Sequence, residues 1–131
     1  MVFLPVTIKK MGLLAMPASA IPPIVKRSIG AGIYAGAKDM AKMSRRLAPR
    51  GKTGDLKASI KAHKISWKRS EVRASVPYAK YMEEGFIHYK SGEFIRRPFL
   101  QPAFAIRFPT MRRLVHEKFR NVLLRLAGWG R

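Results

Sequence analysis

The chain has 131 residues, no cysteine and a formal net charge of +20, from 27 Lys and Arg against 7 Asp and Glu. One domain fits this length, and the missing cysteines exclude disulfides, thiolate zinc sites and cysteine nucleophiles. Such a charge selects polyanionic or acidic partners, while 47% hydrophobic residues argue against a disordered basic tail.

Residues 1–21 read as an extended arm. Val2, Leu4, Val6 and Ile8 alternate with Phe3, Pro5 and Thr7, and Pro5 restricts any strand here to an edge. Lys9 and Lys10 precede a short apolar run, and Ala18-Ser19-Ala20 resembles a signal-peptidase site. The run is shorter than such leaders use, so the arm is expected to be retained. It is expected to lie on a neighbouring subunit, or alternatively to fold back on its own domain. No stretch approaches the ~20 apolar residues of a membrane span, and no membrane partner is expected.

Residues 22–131 are expected to form one α+β domain. A helix is predicted over 23–47, where Val25, Ile29, Ile33, Gly36, Met40, Met43 and Leu47 recur at helical spacing. Gly30, Gly32 and Gly36 make its middle small-sided. Each internal Gly costs about 0.8–1 kcal/mol relative to Ala, so a helix of this subunit or the next is expected to pack closely there. Ala48-Pro49 ends the helix. A basic loop is predicted over 50–57 and a strand over 58–67. A turn at 68–70 leads to a second strand, in which Val72, Ala74 and Val76 share one face. A short helical turn carries Tyr78, Tyr81 and Met82 and ends at Gly85. Phe86–Tyr89 and Glu93–Arg96 flank Lys90-Ser91-Gly92 as a second hairpin or extended loop. Pro98 and Pro102 lead into a last helix ending near Leu126, which Pro109 is expected to kink or restart. The predicted fold is α+β: N-terminal arm, long helix, small antiparallel sheet, and a C-terminal helix packed on one face of the sheet.

The search for catalytic chemistry is empty. His63, His88 and His116 are scattered, without metal-ligand spacing. Glu83 and Glu84 are adjacent and point apart on a helix, so a solvated face or a subunit salt bridge suits them better than acid–base chemistry. Gly51-Lys52-Thr53 resembles a P-loop ending, but Arg46 occupies the position of the required upstream glycine. No enzyme activity and no cofactor are expected. Arg45, Arg46, Arg50, Lys52, Arg96, Arg97, Arg112 and Arg113 are candidate contacts for DNA or an acidic partner. Phosphate neutralisation needs only such charges and no base recognition.

Three ordered blocks, which come after Leu47-Ala48-Pro49, say more. Leu47-Ala48-Pro49 precedes Lys52-Thr53-Gly54-Asp55-Leu56-Lys57-Ala58-Ser59-Ile60. Tyr78-Ala79-Lys80-Tyr81-Met82-Glu83-Glu84-Gly85 follows, then Arg97-Pro98-Phe99-Leu100-Gln101-Pro102-Ala103. In this order, over about residues 24–126, they resemble the small neck or tail-completion proteins of tailed phages, the group that includes lambda-like minor tail protein Z. The resemblance marks Thr53, Gly54, Leu56, Ser59, Ile60, Tyr78, Ala79, Tyr81, Gly85, Pro98, Phe99, Leu100 and Pro102 as a fold motif. Tyr78 and Tyr81 are expected to anchor the short helix under the sheet, and Phe99 and Leu100 to reach the core. Glu84 stands where an aromatic is common, Phe86 where a threonine is common, and Asp55 where a basic residue is frequent.

The resemblance implies a structural virion protein of the head–tail junction, assembled in the host cytoplasm. It implies a homo-oligomeric ring that joins connector and tail. Stopper, tail-terminator or tail-tube proteins would be its neighbours, and the DNA end a further contact. A ring of six, taken as the working assumption, would carry a formal +120, six times the +20 of one chain. Gly32, Gly36, Glu83, Glu84 and Phe86 are candidate subunit-interface residues. The alternative is a free basic nucleic-acid-binding protein with nonspecific phosphate contacts.

Overall fold

Helix α1 (Pro23–Leu47) is the spine of the molecule. The computed structural model describes residues 2–7, 21–51 and 53–128. Pro23 takes the first helical position, where its missing N–H costs nothing. Val25, Ile29, Ile33, Ala37, Met40 and Ala41 are buried along one face. Leu47, predicted to close that stripe, is 38% exposed. At 100° per residue the buried face drifts from Met43 and Leu47 onto Ser44 and Ala48.

The predicted basic loop contains a short helix, α2 (Asp55–Ser59), entered through left-handed Gly54. Strand β2 (Ile60–Ser66) therefore begins two residues later than predicted. It pairs antiparallel with β3 (Arg69–Ala74), in register Ile60↔Ala74 and Ala62↔Val72. Those four residues turn one face of the sheet toward α1. Strand β1 (Val2–Thr7) pairs with the other edge of β3, giving the order β1-β3-β2. Pro5 thus sits on an edge strand, where a missing donor is tolerated. The arm's first residues lie on their own chain; residues 8–20 fall outside those described. On the outer face of central β3, buried Glu71 is held by Arg69 and by Arg73, the latter at 2.7 Å.

Helix α3 (Ala79–Glu84) is followed by a second hairpin, β4 (Phe86–Ile87) with β5 (Phe94–Ile95). The last helix, α4 (Leu100–Leu126), begins immediately after Phe99 and contains Pro109 without restarting there. Pro109 removes one internal hydrogen bond, and the packing of Met111, Val115 and Val122 on α1 carries the helix through it. Both long helices lie on the sheet: α1 covers β2 and β3, while α4 runs along α1 and meets β1.

The α1–α4 seam explains two of the glycines. A Cβ on Gly32 would lie 2.9 Å from the Val115 Cα, and one on Gly36 would lie 2.1 Å from the Met111 Cγ. Ser28 Oγ donates to the Lys118 carbonyl at 3.0 Å along the same antiparallel seam. Gly32 and Gly36 were candidates for contact between subunits. Their space is taken within the chain, because α4 folds back over them.

Candidate functional site

Glu83 joins the second and third sequence blocks. It is 5% exposed, on the face of α3 that also buries Ala79. Its carboxylate accepts the backbone N–H groups of Phe99, Leu100 and Gln101 at 2.8, 3.0 and 2.9 Å. These are the free donors that open α4. The fourth position is Pro102, which has no N–H. Glu83 thus caps α4 from another element, and its negative charge meets the positive end of the helix. Two further links reinforce the join: the Arg97 backbone N–H donates to the Met82 carbonyl, and the Arg96 side-chain Nε to the Glu83 carbonyl, both at 3.0 Å. Phe99 and Leu100 reach the core as expected, at 0% and 2% exposure. Glu83 is therefore not on a solvated face or at a subunit salt bridge; its exposed neighbour Glu84 is free for either. A hint was present in the sequence, since no Ser, Thr, Asp or Asn stands before α4 to cap it locally.

Tyr78 and Tyr81 do not anchor α3 under the sheet: they are 41% and 57% exposed. Ala79 and Glu83, four residues apart, take the buried face, so Tyr78 and Tyr81 are turned away from it, while half-buried Met82 packs at its edge against the core. With half-buried Phe86 they line an apolar groove. It continues into a hollow of about 240 Å³ whose lining includes Pro49, Leu56, Ile95, Arg50 and Arg97. Beside it, the second hairpin exposes Ile87 (70%), Tyr89 (86%) and Phe94 (65%). Gly85 makes the hairpin's approach possible: its φ is +100°, and a Cβ there would meet the Phe94 ring at 2.3 Å.

The remaining motif residues are structural. Leu56, Ile60 and Ala79 are buried, Pro98 and Pro102 half-buried. Ser59 Oγ donates to the Leu56 carbonyl at 2.8 Å, and Thr53 Oγ1 accepts the Asp55 N–H at 3.4 Å.

The basic candidates separate into groups. Arg50 and Arg97, far apart in sequence, line the same hollow. Arg45 is half-buried and donates to the Ile60 carbonyl at 2.7 Å, tying the end of α1 to β2. Arg46 is exposed, as are Arg112 and Arg113 on α4. Arg96 is exposed but bonded to Glu83, and Lys52 lies outside the described residues. A second basic cleft, between the start of α1 and the end of α4, gathers Arg27, Lys118 and Arg125. Acidic residues offset little of this. Glu71 and Glu83 are buried and bonded, and Asp39 pairs with Arg107 at 3.7 Å. Asp55, Glu84, Glu93 and Glu117 remain exposed. Among the described residues no three His, Cys, Asp or Glu converge as a metal site, and no helix is long and apolar enough to cross a membrane.

Residues 18–85, just over half of the chain, match the family described as "Bacteriophage HK97-gp10, putative tail-component". The chain belongs to this HK97-gp10-like family of tailed phages. It is accordingly a structural tail component, a virion protein that works against other tail or neck proteins. The matched span runs from before α1 through α3 to Gly85, so it holds the first two sequence blocks. The third block and α4 lie beyond it, joined to it by Glu83. No curated protein and no solved structure matches the chain.

Proposed function

We propose that this tail component is a tail-completion subunit of the head–tail junction, present in several copies as a ring between connector and tail. The observation that supports this reading is a surface unsuited to a solitary protein. Ile87, Tyr89, Phe94, Tyr78 and Tyr81 stand exposed around one hairpin and one short helix. Apolar side chains exposed together on adjoining elements are surface of the kind that protein contacts cover. The formal +20 charge, with three of its seven carboxylates engaged internally, opposes a bare ring and favours acidic neighbours or the DNA end as counter-charge. Stopper, terminator and tail-tube proteins are the candidate neighbours. The DNA contact falls to Arg46, Arg112 and Arg113, whose side chains are exposed.

Phage carrying a stop codon in this gene should produce filled heads and free tails that fail to join. Added purified protein should restore infectious particles, each holding a fixed copy number. Joined particles lacking the protein would overturn the junction role. Duplex binding by the isolated protein should weaken steeply with salt, with a log–log slope near −0.9 per phosphate contacted. A flat dependence removes DNA as a partner and leaves the protein neighbours.

A further inference from the structure

We propose that the groove between α3 and the loop after α1 receives an acidic segment of a neighbouring virion protein, carrying apolar side chains between its carboxylates. Only the source of the partner rests on the junction reading; the binding chemistry is in the groove itself. Its floor is apolar, built from Tyr78, Tyr81, Met82 and Phe86. Among the described residues its charged lining is Arg50 and Arg97, with no carboxylate. A guanidinium presents a planar fork of donors that matches a carboxylate, so each arginine offers a directed contact as well as charge. The two come from loops 47 residues apart in sequence (97 − 50), brought together by the Glu83 clamp on the start of α4.

The charge decides among occupants. A second copy brings a formal +20, and its free carboxylates are scattered as Asp55, Glu84, Glu93 and Glu117. Its exposed hairpin, from His88 to Phe94, carries one Glu against one Lys. It supplies apolar contact without the matching negative charge. A duplex would match the arginines with its phosphates but keeps its bases stacked inside, leaving the floor of Tyr78, Tyr81, Met82 and Phe86 unused; a single strand, whose bases can stack on aromatic rings, is an outcome of the test. An acidic apolar segment satisfies both parts of the groove.

The test uses the full chain and a short fluorescent peptide alternating Asp with Leu and Phe, measured by anisotropy at physiological ionic strength. A peptide of equal charge, with Ser in place of Leu and Phe, reports attraction by net charge alone. Arg50→Ala/Arg97→Ala should weaken the first peptide about tenfold, while Arg112→Ala/Arg113→Ala, with the same charge change, should weaken it by less than about threefold. Tyr81→Ser, at an exposed side chain, should weaken the first peptide and leave the second unchanged; melting curves check that each variant is folded. Equal losses from both arginine pairs, or equal binding of the two peptides, would overturn the proposal. So would a single-stranded oligonucleotide bound more tightly through Arg50 and Arg97 than the peptide, or a groove whose Tyr81→Ser change dissolves self-association without touching peptide binding. Head–tail joining is scored separately, so loss of one result leaves the other standing.

Discussion

Glu83→Ala tests how the fold is held together. The change removes one carboxylate and three hydrogen bonds of 2.8–3.0 Å. The residues at two of the orphaned donors, Phe99 and Leu100, are buried, so water cannot readily replace the carboxylate. Gln101 is exposed and its N–H can turn to solvent. A buried unsatisfied donor costs about 1–3 kcal/mol, so two give roughly 2–6 kcal/mol, and about 3 kcal/mol after local relaxation. For 131 residues the unfolding entropy is about 275 cal/mol/K. The melting temperature should therefore fall by about 11 °C. Glu83→Gln keeps one acceptor oxygen and should lose roughly half as much. Glu84→Ala, one residue along and exposed, should stay within about 0.5 kcal/mol of the parent. Far-UV circular dichroism melts and urea titrations measure all three. If Glu83→Ala melts within about 2 °C of the parent, the clamp is not what seats α4, and the account of the second and third blocks is wrong.

Further outcomes follow from other contacts. Gly32→Ala gains about 1 kcal/mol of helix propensity but places a Cβ 2.9 Å from the Val115 backbone. It should destabilise by about 1–3 kcal/mol net in urea titration. Gly36→Ala drives a Cβ to 2.1 Å from the Met111 Cγ and 2.7 Å from its Cβ; in Gly36→Ala/Met111→Ala the Cγ is gone, so the two losses should be less than additive, a coupling that a double-mutant cycle reads directly. Glu71→Ala leaves Arg69 and Arg73 facing each other across an empty site, and should cost about 2 kcal/mol in the same assay. Ser70 Oγ is buried with no hydrogen-bond partner among the described residues, so Ser70→Ala should be neutral or stabilise by up to about 1 kcal/mol in thermal melts.

Local patterns carried much of the architecture. Helix α1 spans the predicted 23–47, because a long apolar stripe bounded by prolines has one reading. The first hairpin was legible from the alternation of Val72 and Ala74, although β3 starts at Arg69, inside the predicted turn at 68–70, and ends before Val76. α2 was not: five residues without an apolar period look like loop, and the helix exists because left-handed Gly54 turns buried Leu56 inward. Tyr78 and Tyr81 misled for a different reason. Helical spacing places them on one face but does not say which face is buried, and in α3 the choice falls to Ala79 and Glu83. The small residues of α1 predicted a close neighbour without identifying it. For Gly32 and Gly36 that neighbour is α4 of the same chain, and for Gly30 it is Trp67, just after β2.

By itself, the sequence determined the helix-and-sheet order, the absence of thiol chemistry, the excess of positive charge and the tailed-phage family. Each is a property of composition, local period or ordered motif. Only the tertiary structure decided what the motifs are for. It turned an apparent surface carboxylate into the cap of a helix 16 residues downstream, since helix-end donors must be satisfied by whatever the fold brings within 3 Å. It also turned two expected core tyrosines outward, and set Arg50 and Arg97 beside them at one groove. Both outcomes depend on which face of a six-residue helix meets the core, a choice made by long-range packing and absent from local spacing.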